Sequence, residues 1–156
     1  MKAVTRNPNL TEITRGDIVY VYFPSLTLDE AILQMLTEDE DAEITSEMIA
    51  ELRKKIKSSV QEGIRPAVVV SNDKENTFSG VVKLVPFTTS DKKPLPTHIS
   101  VRDDDLGGTG LKRNSTALIE QVRNLDKYYI LNKLGRLPAK IMSRIDRAIE
   151  IEFATR

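Results

Sequence analysis

Short stretches of strand-type pattern outnumber helical ones along this chain. Asp17 to Phe23 (DIVYVYF) is β-branched or aromatic almost throughout and follows the turn-like pair Arg15-Gly16, which predicts a strand. Pro66 to Asn72 (PAVVVSN) reads as a buried strand, its proline at the first position, where a missing N–H is tolerated. A polar turn over 72–76 leads to a strand over 80–87 (GVVKLVPF), in which Pro86 predicts an edge or a bulge. A loop over 91–96 precedes a short strand over 97–101 (THISV), and the acidic, glycine-rich run 103–110 predicts a turn or loop. Ser115 to Asn124 (STALIEQVRN) alternates as a strand, although its segment 117–120 also suits a helix. Leu137 to Ile149 is helical, with Pro138 in its first turn and Ile141, Ile145 and Ile149 stacked at i, i+4. Ile151 to Phe153 predicts a last strand. Several short strands with one late helix suggest a small barrel, mainly β with α.

The stretch between the first two strands has a different pattern. A first helix is expected from Thr27 or Leu28, with Asp29 and Glu30 in its first turn and Ile32, Leu33 and Leu36 on its apolar side. A second starts near Thr45 or Ser46, and Met48, Ile49, Leu52, Ile56 and Val60 recur along it at helical spacing. The connector Glu38-Asp39-Glu40-Asp41 makes the pair an acidic helical hairpin inserted over 25–62. That segment holds ten acidic and four basic side chains, net −6, within a chain whose 23 basic and 23 acidic residues cancel. The body therefore carries +6 and is suited to a polyanion, against the plainer reading of scattered solvated charge.

At 156 residues the chain is one domain with an appendage. It has no cysteine, which removes disulfides, thiol nucleophiles and cysteine-ligated zinc, and one histidine, His98. No metal or cofactor is called for. No apolar run approaches the ~20 residues that span a bilayer. The opening MKAVTRNPNL has no apolar core of a signal peptide, so a cytoplasmic protein is expected, with no membrane partner.

Three places carry candidate chemistry. In Gly63-Ile64-Arg65-Pro66 the proline confines Arg65 to extended geometry, aiming a guanidinium fork from a strand mouth as a phosphate clamp would; a surface arginine paired to a carboxylate is the plainer reading. Thr88, Thr89 and Ser90 end another strand and either bind phosphate or cap a turn. His98, on its short strand, reads first as structural.

Taken in order, these segments resemble the MazF/PemK toxins, the ribonuclease components of bacterial toxin–antitoxin pairs. The resemblance is carried by Arg15-Gly16-Asp17-Ile18-Val19-Tyr20, by Gly63 through Asp73, by Asn76-Thr77-Phe78-Ser79 and by Pro86-Phe87-Thr88-Thr89. It continues through Leu95-Pro96-Thr97-His98-Ile99, Gly110-Leu111, Ser115 and Leu118 to Asp126. It implies an SH3-like barrel with a C-terminal helix, and a homodimer with a cognate antitoxin that binds DNA as the complex. It also implies metal-independent cleavage of single-stranded RNA by the 2′-hydroxyl, leaving a 2′,3′-cyclic phosphate and a 5′-hydroxyl. The catalytic arginine of the family falls on Arg65 and its catalytic threonine on Thr88. Arg65 is expected to stabilise charge on the phosphorane and Thr88 to hydrogen-bond the phosphate or the 2′-hydroxyl.

Gln61, Lys74, Phe78, Thr89, Lys92, Lys93 and Gln121 are the further RNA-binding candidates, the three lysines for phosphates near the site's mouth. Phe78 either stacks a base or plugs the barrel, and Gln121 either reads a base edge or holds the site's loop. The chain departs from the family at Val60, where a glutamate is expected, leaving open whether Glu62 replaces it. It departs again in the acidic insertion, which either screens the RNA groove, docks an antitoxin or packs as a solvated appendage. The rival functions are a gyrase-binding toxin like CcdB and a self-restrained regulator; the Arg65-Pro66 and Thr88 pair favours the nuclease.

Overall fold

The computed structural model describes residues 6–10, 12–24, 45–55, 60–91 and 93–155. The helix expected over 27–36, the connector 38–41 and Lys92 lie outside them. The chain divides into two compact units, Met1–Phe23 with Glu62–Arg156, and Pro24–Gln61. In the second unit, helix α1 (Ser46–Lys55) begins where expected, with the Met48 N–H donating to Thr45 Oγ1 at 3.3 Å and Glu47 in its first turn.

The larger unit is an antiparallel sheet of seven strands and a C-terminal helix. Its strands are β1 (Asp17–Phe23), β2 (Gly63–Val69), β3 (Val81–Thr88), β4 (His98–Val101), β5 (Ser115–Leu118), β6 (Arg123–Asp126) and β7 (Ile130–Arg136). They pair in the order β4-β5-β3-β2-β1-β7, with β6 also on β3. The expected strands over 17–23, 80–87 and 97–101 form with edges shifted by at most one residue.

Four expectations need correction. The polar turn over 72–76 is a short helix, α2 (Asp73–Phe78), because the Asn72 side chain accepts the Glu75 N–H at 2.9 Å and caps it. The single strand over 115–124 breaks at a tight 3-10 turn over Ile119–Gln121 into β5 and β6. No strand forms at 151–153, since helix α3 (Ala139–Glu152) runs through that segment. β2 begins at Gly63, so Arg65 lies within the strand, paired across to Val21 of β1. β7 has no counterpart among the sequence expectations.

Pro86 is neither at an edge nor in a bulge. Residues 81–84 of β3 pair with β6, and Phe87 and Thr88 pair with β5. Pro86 falls between the two partners, where that side of the strand has no ladder bond to supply.

Strand alternation gives the sheet two apolar faces. One carries Ile18, Val68, Val85, Phe87, Ile99 and Val101, clustered with Ile141, Ile145 and Ala148 of α3. The other carries Val19, Val21, Phe23, Ala67, Val69, Val82 and Leu84, clustered with Leu125 and Ile130. Both faces of the sheet are thus buried, and its strand order ends at β4 on one side and β7 on the other. No helix among the described residues is long and apolar enough to cross a membrane.

Asp17 is a buried carboxylate at the start of β1, 3.0 Å from both Lys133 Nζ and Arg136 Nη1, and it accepts the Thr14 N–H at 2.8 Å. Burial pushes its pKa up, but the Thr14 N–H and Lys133 outweigh burial together and hold it below the ordinary value. A carboxylate depressed in the folded state stabilises the fold above its unfolded pKa, and that contribution is lost as pH falls through the folded value. Asp17→Asn is therefore expected to cost about 2 kcal/mol at neutral pH, in line with charge-assisted hydrogen bonds. The deficit should shrink as pH falls below the ordinary aspartate range, which urea unfolding at a series of pH values would measure.

Candidate active site

The β2–β3 ladder sets Ala67 opposite Pro86, Val68 opposite Val85 and Val69 opposite Leu84. Ala67–Pro86 is the last pair of this ladder; Arg65, two residues before Ala67, and Thr88, two residues after Pro86, lie on the same face just past its end. Thr88 pairs with Thr116 of β5, and Thr116 with Ser100 of β4. Directly opposed residues share a face, so three hydroxyls form one row across β3, β5 and β4, and Arg65 lies on the same face of β2. The row lies on the face that carries Val21, Ala67 and Leu84.

Arg65 is half-buried, and its Nε and Nη2 donate to the Glu62 carbonyl oxygen at 3.1 and 2.9 Å. The contact spans three residues, so the local chain sets the direction of the fork. Burial pushes the Arg65 pKa down, and the nearby Glu62 charge opposes that shift without cancelling it. Glu62 thus meets Arg65 through its backbone oxygen and its charge, whereas Val60 is a partly exposed apolar side chain in the preceding unit. Thr88 is buried at the end of β3, and its Oγ1 accepts the Ser90 N–H at 3.2 Å. Its own O–H proton is left to donate outward.

Thr88, Thr89, Ser90, His98, Ser100 and Thr116 line a cleft of about 360 Å³, with Arg102, Asn114, Asp91 and Pro94 completing its wall. His98 Nε2 lies 2.7 Å from Glu120 Oε1, and its Nδ1 is buried without a partner. The sequence reading of His98 as a structural residue does not place it here. Ser100, Arg102, Asn114 and Thr116 were not anticipated either. One local signal could have found two of them: His98-Ile99-Ser100-Val101-Arg102 alternates polar and apolar, and Ile99 and Val101 are the buried set.

The other candidates are dispersed. Lys93 is exposed in the loop beside the cleft's Pro94. Lys74 and Phe78 stand on α2, beyond the end of β2 opposite to Arg65, a separation of roughly 15 Å along the strand at ~3.3 Å per residue. Lys74 is thus on a helix and not in a loop at the mouth. Phe78, at 83% exposure, is not a barrel plug. Gln121 ends the 3-10 turn after β5, half-buried and outside the cleft's lining. Gln61 precedes β2, half-buried, in the smaller unit.

Residues 14–153 match the family described as PemK-like, MazF-like toxin of type II toxin–antitoxin system. The chain is 35% identical over 97 residues to the protein named endoribonuclease EndoA of Bacillus subtilis, covering 62% of this chain and 81% of that one. It is also 35% identical over 99 residues to the endoribonuclease MazF of Staphylococcus saprophyticus, covering 63% and 80%. Among solved structures it resembles a mycobacterial endoribonuclease in complex with its cognate antitoxin, with a TM-score of 0.59, 17% identity and coverage of 92% of this chain and 97% of that one. It also resembles MazF of Deinococcus radiodurans, with a TM-score of 0.58, 19% identity and coverage of 90% and 96%. Those two likenesses establish the barrel fold.

Proposed function

The chain belongs to the PemK/MazF family of type II toxin endoribonucleases, and on that premise we propose that it cleaves single-stranded RNA at a short sequence without a metal. The 2′-oxygen attacks the adjacent phosphorus and the P–O5′ bond breaks. The 2′-hydroxyl loses its proton and the departing 5′-oxygen gains one. The products are a 2′,3′-cyclic phosphate and a 5′-hydroxyl. No water is consumed, so catalysis rests on position and on stabilising the extra negative charge of the phosphorane.

The observation that supports this reading is that Arg65 and Thr88 lie on one face of neighbouring strands, just past the end of the β2–β3 ladder. Arg65 presents a fixed positive fork to non-bridging oxygens, and Thr88 donates its free hydroxyl proton to the same phosphate. The lowered Arg65 pKa moves the guanidinium toward proton transfer to the 5′-oxygen, but charge stabilisation is its first role. Glu62 orients Arg65 through its backbone carbonyl oxygen, a role distinct from that of the glutamate side chain expected at Val60. Thr89 and Lys93 contact the RNA beside the cut, and Lys92, Gln61 and Gln121 are further residues that bind it. Lys74 and Phe78 are contacts for RNA further along the strand.

The partners that go with this reading are a cognate antitoxin, which binds DNA as the complex, and a second copy of the chain, in the cytoplasm. The barrel and its C-terminal helix are the toxin domain, and 25–62 is an acidic insertion in it. The test is incubation of the protein with a long unstructured RNA in EDTA, followed by mapping of the new ends. Discrete cuts ending in 2′,3′-cyclic phosphate are expected, and a 2′-deoxy substitution at a cut position should abolish that cut. Intact RNA, or cuts that survive 2′-deoxy substitution, would overturn the reading.

A further inference from the structure

We propose that the cleft beside Thr88 is a subsite for one nucleotide adjoining the scissile phosphate, with Arg102 holding the next phosphate of the RNA strand. The inference rests on the endonuclease reading and extends it to residues outside the Arg65–Thr88 pair.

The cleft's volume of about 360 Å³ lies at the small end of ligand pockets, suited to a single nucleotide unit. Thr88, Thr116 and Ser100 supply three hydroxyls along its floor in one row, able to donate to or accept from ribose and phosphate. Arg102 lies two residues beyond Ser100 on the same side of the chain. The β4–β5 register, carried one step past Val101 opposite Ser115, sets Arg102 opposite Asn114. Both line the cleft.

Arg102 is exposed, and its side chain makes no ion pair or hydrogen bond among the described residues. Other arginines of the barrel are engaged: Arg15 with Asp146, Arg136 with Asp17, and Arg123 over the ring of Phe23. Arg102 is thus a cation at a polar cleft with no carboxylate in ion-pair contact with it among the described residues, although Asp91 shares the lining.

Its backbone is fixed. The next residue, Asp103, has φ +44°, a left-handed conformation that a non-glycine residue seldom adopts. Its N–H donates to Asn114 Oδ1 at 2.8 Å, and Asn114 Nδ2 donates back to Asp103 Oδ1 at 3.3 Å. This reciprocal clamp ties the end of β4 to the start of β5 at the cleft and limits the ordering cost of binding there. In the same wall His98 has a side chain only 8% exposed, with a buried Nδ1 that has no partner. Asp91, the carboxylate of the lining, sits in the exposed loop after β3 and opposes phosphate binding. The two charges give opposite signs to test.

The probe is an RNA oligonucleotide with a 2′-deoxy residue at the mapped cut, or at each position in turn if no cut is found. Its binding to the full chain is followed by fluorescence anisotropy in EDTA from about 50 to about 200 mM salt, because log affinity falls with log salt by about 0.7 per phosphate contacted in a single strand. Arg102→Gln should weaken binding several-fold at low salt and lower the slope by about 0.7, with the recognition word and melting temperature unchanged. Asp91→Asn should strengthen binding. Unchanged affinity and slope in Arg102→Gln would overturn the proposal. A changed preference at one base with the slope intact would overturn it too, since Arg102 would then be reading a base. If the wild type binds with a salt slope that Arg102→Gln lowers yet cuts nothing, the endonuclease reading fails, and Arg102 stands as a phosphate contact of a binding cleft with no scissile phosphate beside it. If it binds no RNA, both fall.

Discussion

Arg65→Ala is expected to lower the single-turnover rate of RNA cleavage by about 10²–10³-fold, the loss that follows removal of one preorganised donor facing developing negative charge. Arg65 shares a face with Thr88 just past the end of their ladder, and two of its nitrogens are held by the Glu62 carbonyl oxygen. Its direction is therefore set before RNA arrives. Arg65→Lys keeps the charge but loses the planar fork and the Nε contact, so it should recover little of the activity. Glu62→Gln leaves the carbonyl that orients Arg65 and removes only the charge that favours its protonated form. Its effect should stay within a few-fold. A time course of a fluorescent RNA with enzyme in excess separates these cases, with thermal melting as the check on folding. An Arg65→Ala rate within a few-fold of wild type would remove Arg65 from the chemistry.

The second large effect concerns stability. Gly110→Ala and Gly135→Ala are each expected to cost about 3 kcal/mol, the upper end of what overpacking a rigid site costs. The loop 107–110 lies backbone against backbone on β7, with the Arg136 N–H donating to the Gly108 carbonyl oxygen at 2.9 Å. A Cβ on Gly110 would stand 2.7 Å from the carbonyl carbon and the Cβ of Leu134, and it would overlap the Leu134 carbonyl oxygen. Gly110 also has φ +75°, which a side chain would strain. A Cβ on Gly135 would lie 2.7 Å from the Thr109 carbonyl oxygen. Neither neighbour is a flexible side chain, so neither can step aside. Gly107, three residues before Gly110, has open space around it, and Gly107→Ala should change stability by no more than about 0.5 kcal/mol. Urea unfolding of the three variants would decide this. Equal stabilities for Gly107→Ala and Gly110→Ala would mean that the loop can lift off β7.

Local pattern was enough to recognise β1, β3, β4 and α3, because their alternation or i, i+4 spacing reports a face buried in the final fold. Arg65-Pro66 and the threonines ending β3 were legible for a similar reason: ordered motifs survive in sequence without any knowledge of register. β7 was not legible, because only its first residue, Ile130, is fully buried and Asn132, Lys133 and Arg136 interrupt any apolar period. The break between β5 and β6 was hidden too. Ile119 is buried like its strand neighbours, so the apolar pattern runs on through a backbone turn.

Sequence by itself determined the class of fold, the family and the two residues on which the chemistry is proposed to rest. Tertiary structure decided what stands beside them. Thr88, Thr116 and Ser100 share a row because three segments separated by long stretches of chain pair in one register, and a shift of one residue would turn each to the other face. The same register carries Arg102 and His98 to the cleft and leaves Phe78 and Lys74 at the far end of β2. Local alternation marks which residues share a side of a strand. Which strands then meet, and at what offset, is settled by packing both faces of the sheet at once, and no single segment contains that information.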